Sequence, residues 1–282
     1  MVSEIPLGDK VLTMNTMLYN KIQVAKEHIS KKDYDLCFLV DGSEGSGKSV
    51  FAMQLARAFD ADFCLDRVCF SPEEFLQAIK TASKCQAIVY DEAYRGLSSR
   101  AAMSQINKLI VSVMMEMRQK NLVAIIVLPT FFMLDRYVAI FRSKGLFHVY
   151  QNKGKRGYWL FYNENEKKLL YILGHKLMSY GKPRIKFRGN FNGTYVVDEK
   201  DYKKKKAIAL TNSEQKKVLR RTERNDIIFE QMLCKERFER GRSCQSIADE
   251  CVEMGAPLTD ESVRLITEKY RDQWKVYQII PK

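Results

Sequence analysis

Metal-binding patterns are scarce in this chain. Its seven cysteines form no C-x-x-C pair. Its three histidines, His28, His148 and His175, have no metal-like spacing to them. A zinc site is therefore not expected, and the thiols read as buried and reduced, in a cytosolic protein. Long hydrophobic runs are also missing. The longest, Leu122 to Leu134, is interrupted by Pro129 and Thr130 and is too short to span a bilayer. The N-terminal MVSEIPLGDK has no apolar signal core. These absences predict a soluble chain without direct membrane insertion. No nuclease signature and no set of lid arginines stands out.

What is present is a sizeable apolar fraction, 46% of 282 residues, enough for one large domain or one domain with a small appendage. The net charge of +13 is unevenly spread. Residues 1–150 carry a net +2 and residues 207–282 a net +1, whereas residues 151–206 hold 15 basic and five acidic side chains. A concentrated basic stretch points to a polyanion, most simply nucleic acid.

Apolar strands alternate with helices. CFLVD (37–41), QAIVYD (86–91), LVAIIVL (122–128) and LFHVY (146–150) read as strands, apolar throughout as in a parallel sheet covered on both faces. Helices are expected around Leu18–Ser30, over Val50–Phe59, after the Ser71-Pro72-Glu73-Glu74 start signal, over Ser104–Gln119 and over FFMLDRYVAIF (131–141). The fold class is α/β, a parallel central sheet flanked by helices. YWLFY (158–162) and TYVVD (194–198) read as strands of a basic, β-containing segment beginning near 151, and Lys203 to Lys206 as a charged boundary. The expected division is a domain of residues 1–200 and a helical one of 207–282.

Residues 42–49 read GSEGSGKS, the G-x-x-x-x-G-K-[ST] pattern between a strand and a helix. Gly42, Gly45 and Gly47 let successive amides turn inward around a phosphate chain, with Ser43, Glu44, Ser46 and Val50 completing the binding stretch. The helix N-terminus adds partial positive charge. Lys48 is expected to reach the β- and γ-phosphates and Ser49 to ligate magnesium. AIVYDE (87–92) ends a strand in two acids. Asp91 is expected to hold the magnesium through water, and Glu92 to act as the general base toward the attacking water. ATP and Mg2+ are thus the expected ligands. Thr130, at the tip of the third strand, is a candidate γ-phosphate sensor or an N-cap for the segment after it. Arg118 and Arg142 are the leading candidates for a transition-state arginine; Arg100 and Arg136 also flank the motifs.

These segments together, GSEGSGKS, IVYDEA, a helix ending in MRQKN, and VAIIVLPTFFMLDRYVAIFR, resemble the additional-strand P-loop ATPases of the FtsK–HerA type. They are also similar to the zonula occludens toxin-like ATPases of phages and to viral genome-packaging ATPases. The likeness covers about residues 36–150. Pro129-Thr130 stands where that group often has Thr-Gln. The resemblance implies a P-loop NTPase acting as a homo-oligomeric, hexameric ring that pumps double-stranded DNA without sequence preference, located in the cytoplasm (of the host, if viral). Two other readings stay open: an ATP-switched DNA-binding or assembly module, and a small-molecule kinase.

In the basic segment, Arg184, Lys186 and Arg188 alternate with Ile185 and Phe187, as on a strand with one charged face. The interleaved aromatics are expected to be strand core rather than base-stacking platforms. At the C-terminus, Gln245–Met254 and a helix capped by Thr259 form a pair, with Ile247, Ala248 and Cys251 facing Val263 and Ile266. It reads as a helix-turn-helix or as a bundle for protein contacts.

Overall fold

The computed structural model describes residues 2–8, 10–32, 34–91, 117–134, 136–254 and 258–271, the side chains of residue 138 and residues 212–228 excepted. Glu92, Arg100 and most of the expected Ser104–Gln119 helix lie outside the described residues. The chain divides into two compact units, residues 1–211 and 212–282. Among the described residues no helix is long and apolar enough to cross a membrane.

The first unit is built on a seven-stranded sheet. Its strands are β3 (Leu36–Gly42), β4 (Val68–Cys69), β5 (Ala87–Tyr90), β6 (Val123–Val127), β7 (Gly145–Asn152), β8 (Lys155–Tyr162) and β9 (Arg188–Asn190). Their spatial order is β4-β5-β6-β3-β7-β8-β9. The pairs from β4 to β7 are parallel, and β7–β8 and β8–β9 are antiparallel. Along the chain the only strand between β3 and β5 is the two-residue β4, yet in the sheet β6 lies between them.

Successive strand residues feed opposite faces, which explains why these strands are apolar at every position. Leu36, Val40, Ala87, Val89, Val123, Ile125, Phe147 and Trp159 enter one core, shared with α1 (Thr16–Lys32) and α2 (Lys48–Phe59). Cys37, Leu39, Ile88, Tyr90, Ala124, Ile126, Leu146 and Tyr162 enter the other. There they meet Phe75 and Ile79 of α3 (Pro72–Thr81) and Leu170 of α4 (Glu164–Gly174). Ser71 caps α3 by accepting from the Glu74 amide, with Pro72 in the first turn, the arrangement expected of that start signal.

Several expectations are corrected. The chain opens with an antiparallel hairpin, β1 (Val2–Leu7) and β2 (Lys10–Asn15), whose Ile5, Leu12 and Met14 complete the first core. TYVVD is not a strand. The Gln54 side-chain amide donates to the carbonyls of Asn192 (2.9 Å) and Thr194 (2.8 Å), supplying the partner that a neighbouring strand would. FFMLDRYVAIF is not one α-helix; a 3-10 turn at Phe131–Met133 precedes a π-turn at Val138–Arg142. Phe131, Phe132 and Leu134 are all buried, and three core side chains within four residues do not share one α-helical stripe. The thiols are not uniformly buried: Cys64 is exposed, and Cys85 and Cys244 are half-buried.

Lys203 to Lys206 are no linker. They lie inside the helix α5 (Glu199–Phe238), which runs through the boundary between the units. Lys205 donates to the carbonyls of Leu65 (3.1 Å) and Val68 (2.7 Å). In the second unit, α6 (Cys244–Glu253) and α7 (Asp260–Glu268) are capped by Ser243 and Thr259. Ile247, Ala248, Cys251 and Val263 form its small core with Leu233 of α5.

Candidate functional site

Open α/β sheets bind ligands outside the carboxyl ends of their strands. A cleft of about 580 Å³ lies there, at the ends of β3, β5 and β6. It gathers Glu44, Gly45, Gly47, Lys48, Ser49 and Val50 from the glycine loop and α2, with Asp91 from the tip of β5. Two stretches over forty residues apart in sequence therefore share one wall. The Ser49 hydroxyl donates to Asp91 Oδ1 at 3.0 Å.

The loop's shape follows from its glycines. Gly42, Gly45 and Gly47 all have positive φ, at 141°, 73° and 97°, where a Cβ is disfavoured. At Gly42 there is a second reason. A Cβ would lie 1.9 Å from the Val149 carbonyl oxygen of β7, so the side-by-side pairing of β3 and β7 itself requires glycine. Lys48 folds back over the loop and donates to the carbonyls of Gly42 (2.6 Å) and Ser43 (2.8 Å). Burial lowers its pKa, a shift opposed by the charges of Asp41, Asp91 and Glu44.

Asp91 is fully buried. Its amide donates to the Cys69 carbonyl, which fixes the strand tip. Its second oxygen, Oδ2, accepts from the Tyr202 hydroxyl at 2.5 Å and lies 3.6 Å from the Lys206 ammonium. Burial first, and then the Asp91 charge, push the Tyr202 phenol pKa up. Tyr195, Lys203 and Arg156 also line the cleft. A Cβ on Gly45 would be 3.8 Å from an Arg156 guanidinium nitrogen, which places this arginine beside the loop.

A second polar cluster lies at the root of the loop, and no sequence motif marks it. Asp41, fully buried at the end of β3, accepts from the Phe131 amide at 2.7 Å and from the Tyr180 hydroxyl. Its other oxygen is 2.9 Å from His148 Nδ1. The His148 ring stacks on Tyr180 with centroids 3.8 Å apart. Thr130 bonds the same Tyr180 hydroxyl at 3.0 Å. Thr130 makes no side-chain cap and is not among the residues lining the cleft. The one signal in the sequence is His148 itself, a polar residue inside the apolar run LFHVY.

The two candidate arginines are not brought to this cleft. Arg118 precedes β6, where the Asn121 amide bonds its carbonyl. Arg142 ends the π-turn just before β7, near Cys37. Both flank the amino-terminal ends of parallel strands, about 20 Å from the loop at ~3.3 Å per residue. In the basic segment, Arg184, Lys186 and Arg188 are exposed while Ile185 and Phe187 are half-buried. The charged face is thus present, although only Arg188–Asn190 pairs as a strand. Trp159 and Tyr162 are fully buried, as core and not as stacking platforms.

No protein-family model matches this chain, and neither does any curated protein or solved structure.

Proposed function

We propose that this chain is a P-loop ATPase that hydrolyses ATP and uses the energy to translocate or remodel DNA. The observation that carries the reading is the 3.0 Å contact between Ser49 and Asp91 in a cleft that also holds Lys48. The insertion of β6 between β3 and β5 supports a place among the additional-strand P-loop ATPases.

The residues fit the ligands. Glycine-loop amides and the start of α2 face a triphosphate with partial positive charge, and Lys48 exchanges the loop carbonyls for phosphate oxygens. Magnesium takes one or two protein oxygens plus phosphate oxygens and water; Ser49 Oγ and Asp91 Oδ1 are two such oxygens on one wall. When bound, the ion neutralises charge building on the phosphates. Glu92, next in the chain after Asp91, is proposed to orient and deprotonate the attacking water. Arg118 or Arg142, far from their own cleft, would act only on a neighbouring copy, as in a ring. The net +10 of residues 151–206, with its exposed Arg184, Lys186 and Arg188, supplies a sequence-independent phosphate contact.

The test is the steady-state rate of ATP hydrolysis without DNA, with single-stranded DNA and with duplex. Duplex stimulation is expected, and Glu92→Gln is expected to keep nucleotide binding and lose about 10²–10⁴-fold in rate. Full activity in Glu92→Gln would remove the base. Nucleotide binding without turnover on any DNA would favour a switched binding module, and stimulation by a small metabolite alone would favour a kinase.

A further inference from the structure

The start of α5 reaches the cleft from more than a hundred residues beyond Asp91 and hydrogen-bonds its carboxylate through Tyr202. Tyr202 is 3% exposed, its ring held between Tyr195 (centroids 5.7 Å apart) and Phe70 (5.8 Å). The helix is anchored by Lys205 on the carbonyls of Leu65, just before β4, and Val68, its first residue. The phenol therefore has little freedom to leave Asp91 Oδ2. Lys206 backs it, 3.4 Å from the Tyr202 oxygen and 3.6 Å from the carboxylate. Tyr202 and Lys206 contact Asp91 at Oδ2 and Ser49 contacts it at Oδ1, and the Tyr202 hydroxyl also interacts with the Ser49 side chain.

We propose that Tyr202 is a positioning residue for the metal-binding carboxylate, holding Asp91 Oδ2 so that Oδ1 stays turned toward Ser49. The inference rests on the magnesium-nucleotide reading above. Carboxylates that serve metals are commonly oriented by a hydrogen bond on their second oxygen, and losing that partner typically weakens metal binding about 10–100-fold. A buried phenol suits this role, because its hydroxyl donates to the carboxylate from a ring fixed by its neighbours. Lys206 supplies charge from the same side, 3.6 Å from Oδ2.

The experiment uses the full chain and Tyr202→Phe, which keeps the ring packing and removes only the hydroxyl. Affinity for ADP is measured in EDTA by fluorescence titration. Mn2+ binding to the ADP-loaded protein is then measured by electron paramagnetic resonance. About tenfold weaker Mn2+ binding is expected, with metal-free ADP affinity within twofold of wild type. Unchanged Mn2+ affinity overturns the proposal. So does an equal loss of metal-free ADP affinity, which would mark Tyr202 as merely structural. If the wild-type chain itself binds neither ADP nor Mn2+-ADP, the nucleotide reading fails, and that result is distinct from a failure of Tyr202 alone.

Discussion

Replacing Asp41 by asparagine tests the buried cluster beneath the glycine loop with almost no change in volume. The carboxylate accepts from the Phe131 amide and the Tyr180 hydroxyl on one oxygen and contacts His148 Nδ1 with the other. Asparagine retains one acceptor oxygen and presents an NH2 group to the remaining partner. Hydrogen bonds to a charged group contribute about 1.5–3 kcal/mol net, and a buried donor left without an acceptor costs about 1–3 kcal/mol. With His148 Nδ1–H as the donor left facing the NH2 group, the loss of one charge-assisted bond and one orphaned donor comes to about 2.5–6 kcal/mol. For a unit of this size each kcal/mol moves the melting temperature by about 2–4 °C, so a fall of about 5–24 °C is expected. Circular dichroism melts of wild type, Asp41→Asn, Tyr180→Phe and the double variant would measure it. Because both side chains belong to one network, the double variant should lose less than the sum of the singles. A melting temperature within about 2 °C of wild type for Asp41→Asn, less than the shift expected from a single kcal/mol, or strictly additive losses, would refute the account of this cluster.

Gly42→Ala should fold poorly or not at all, since its Cβ would meet the Val149 carbonyl oxygen at 1.9 Å and no rotamer can relieve a backbone contact; soluble yield and thermal melting would check it, and a melt like wild type would contradict the β3–β7 register. Lys167 gives a pH signature. It is fully buried and donates to Ser143 Oγ (2.6 Å) and to the carbonyls of Ser143 (2.5 Å) and Ile140 (3.2 Å), while burial lowers its pKa from 10.5 to about 8. Between those values the native state has released a proton that the unfolded chain still holds, so stability due to this group rises with pH. Denaturant unfolding from pH 8 up to the ordinary lysine pKa should show the wild-type advantage over Lys167→Met growing by on the order of 1 kcal/mol per pH unit, and a constant difference would exclude the shift.

Much of the sheet is legible in the sequence because local pattern and tertiary role coincide. A strand covered on both faces must be apolar at every position, and β3, β5, β6 and β7 show it within a residue or two at each end. The Ser71-Pro72 helix start is legible because its bonds close within four residues. The hairpin β1–β2 is not: it alternates weakly, and only its packing on α1 and α2 buries Ile5, Leu12 and Met14. TYVVD misleads because a Val/Tyr run has strand propensity, while the donor that satisfies its backbone belongs to Gln54, 140 residues away. The Lys203–Lys206 run misleads through composition, since charge density says nothing of where a lysine stem ends its reach.

The glycine loop, Lys48, Ser49 and Asp91 belong to what the amino-acid order determined by itself. They are residue types at short spacing beside strands whose hydrophobicity is unmistakable. Tertiary structure alone decided that β6 separates the two motif strands, that Ser49 meets Asp91, and that Asp41, His148, Tyr180 and Thr130 gather in one cluster. It also brought Tyr202 to the cleft and kept Arg118 and Arg142 away from it. Parallel strands are joined by long crossovers, so their order across the sheet leaves no mark on the spacing of residues along the chain. Every contact at the cleft between distant segments inherits that freedom.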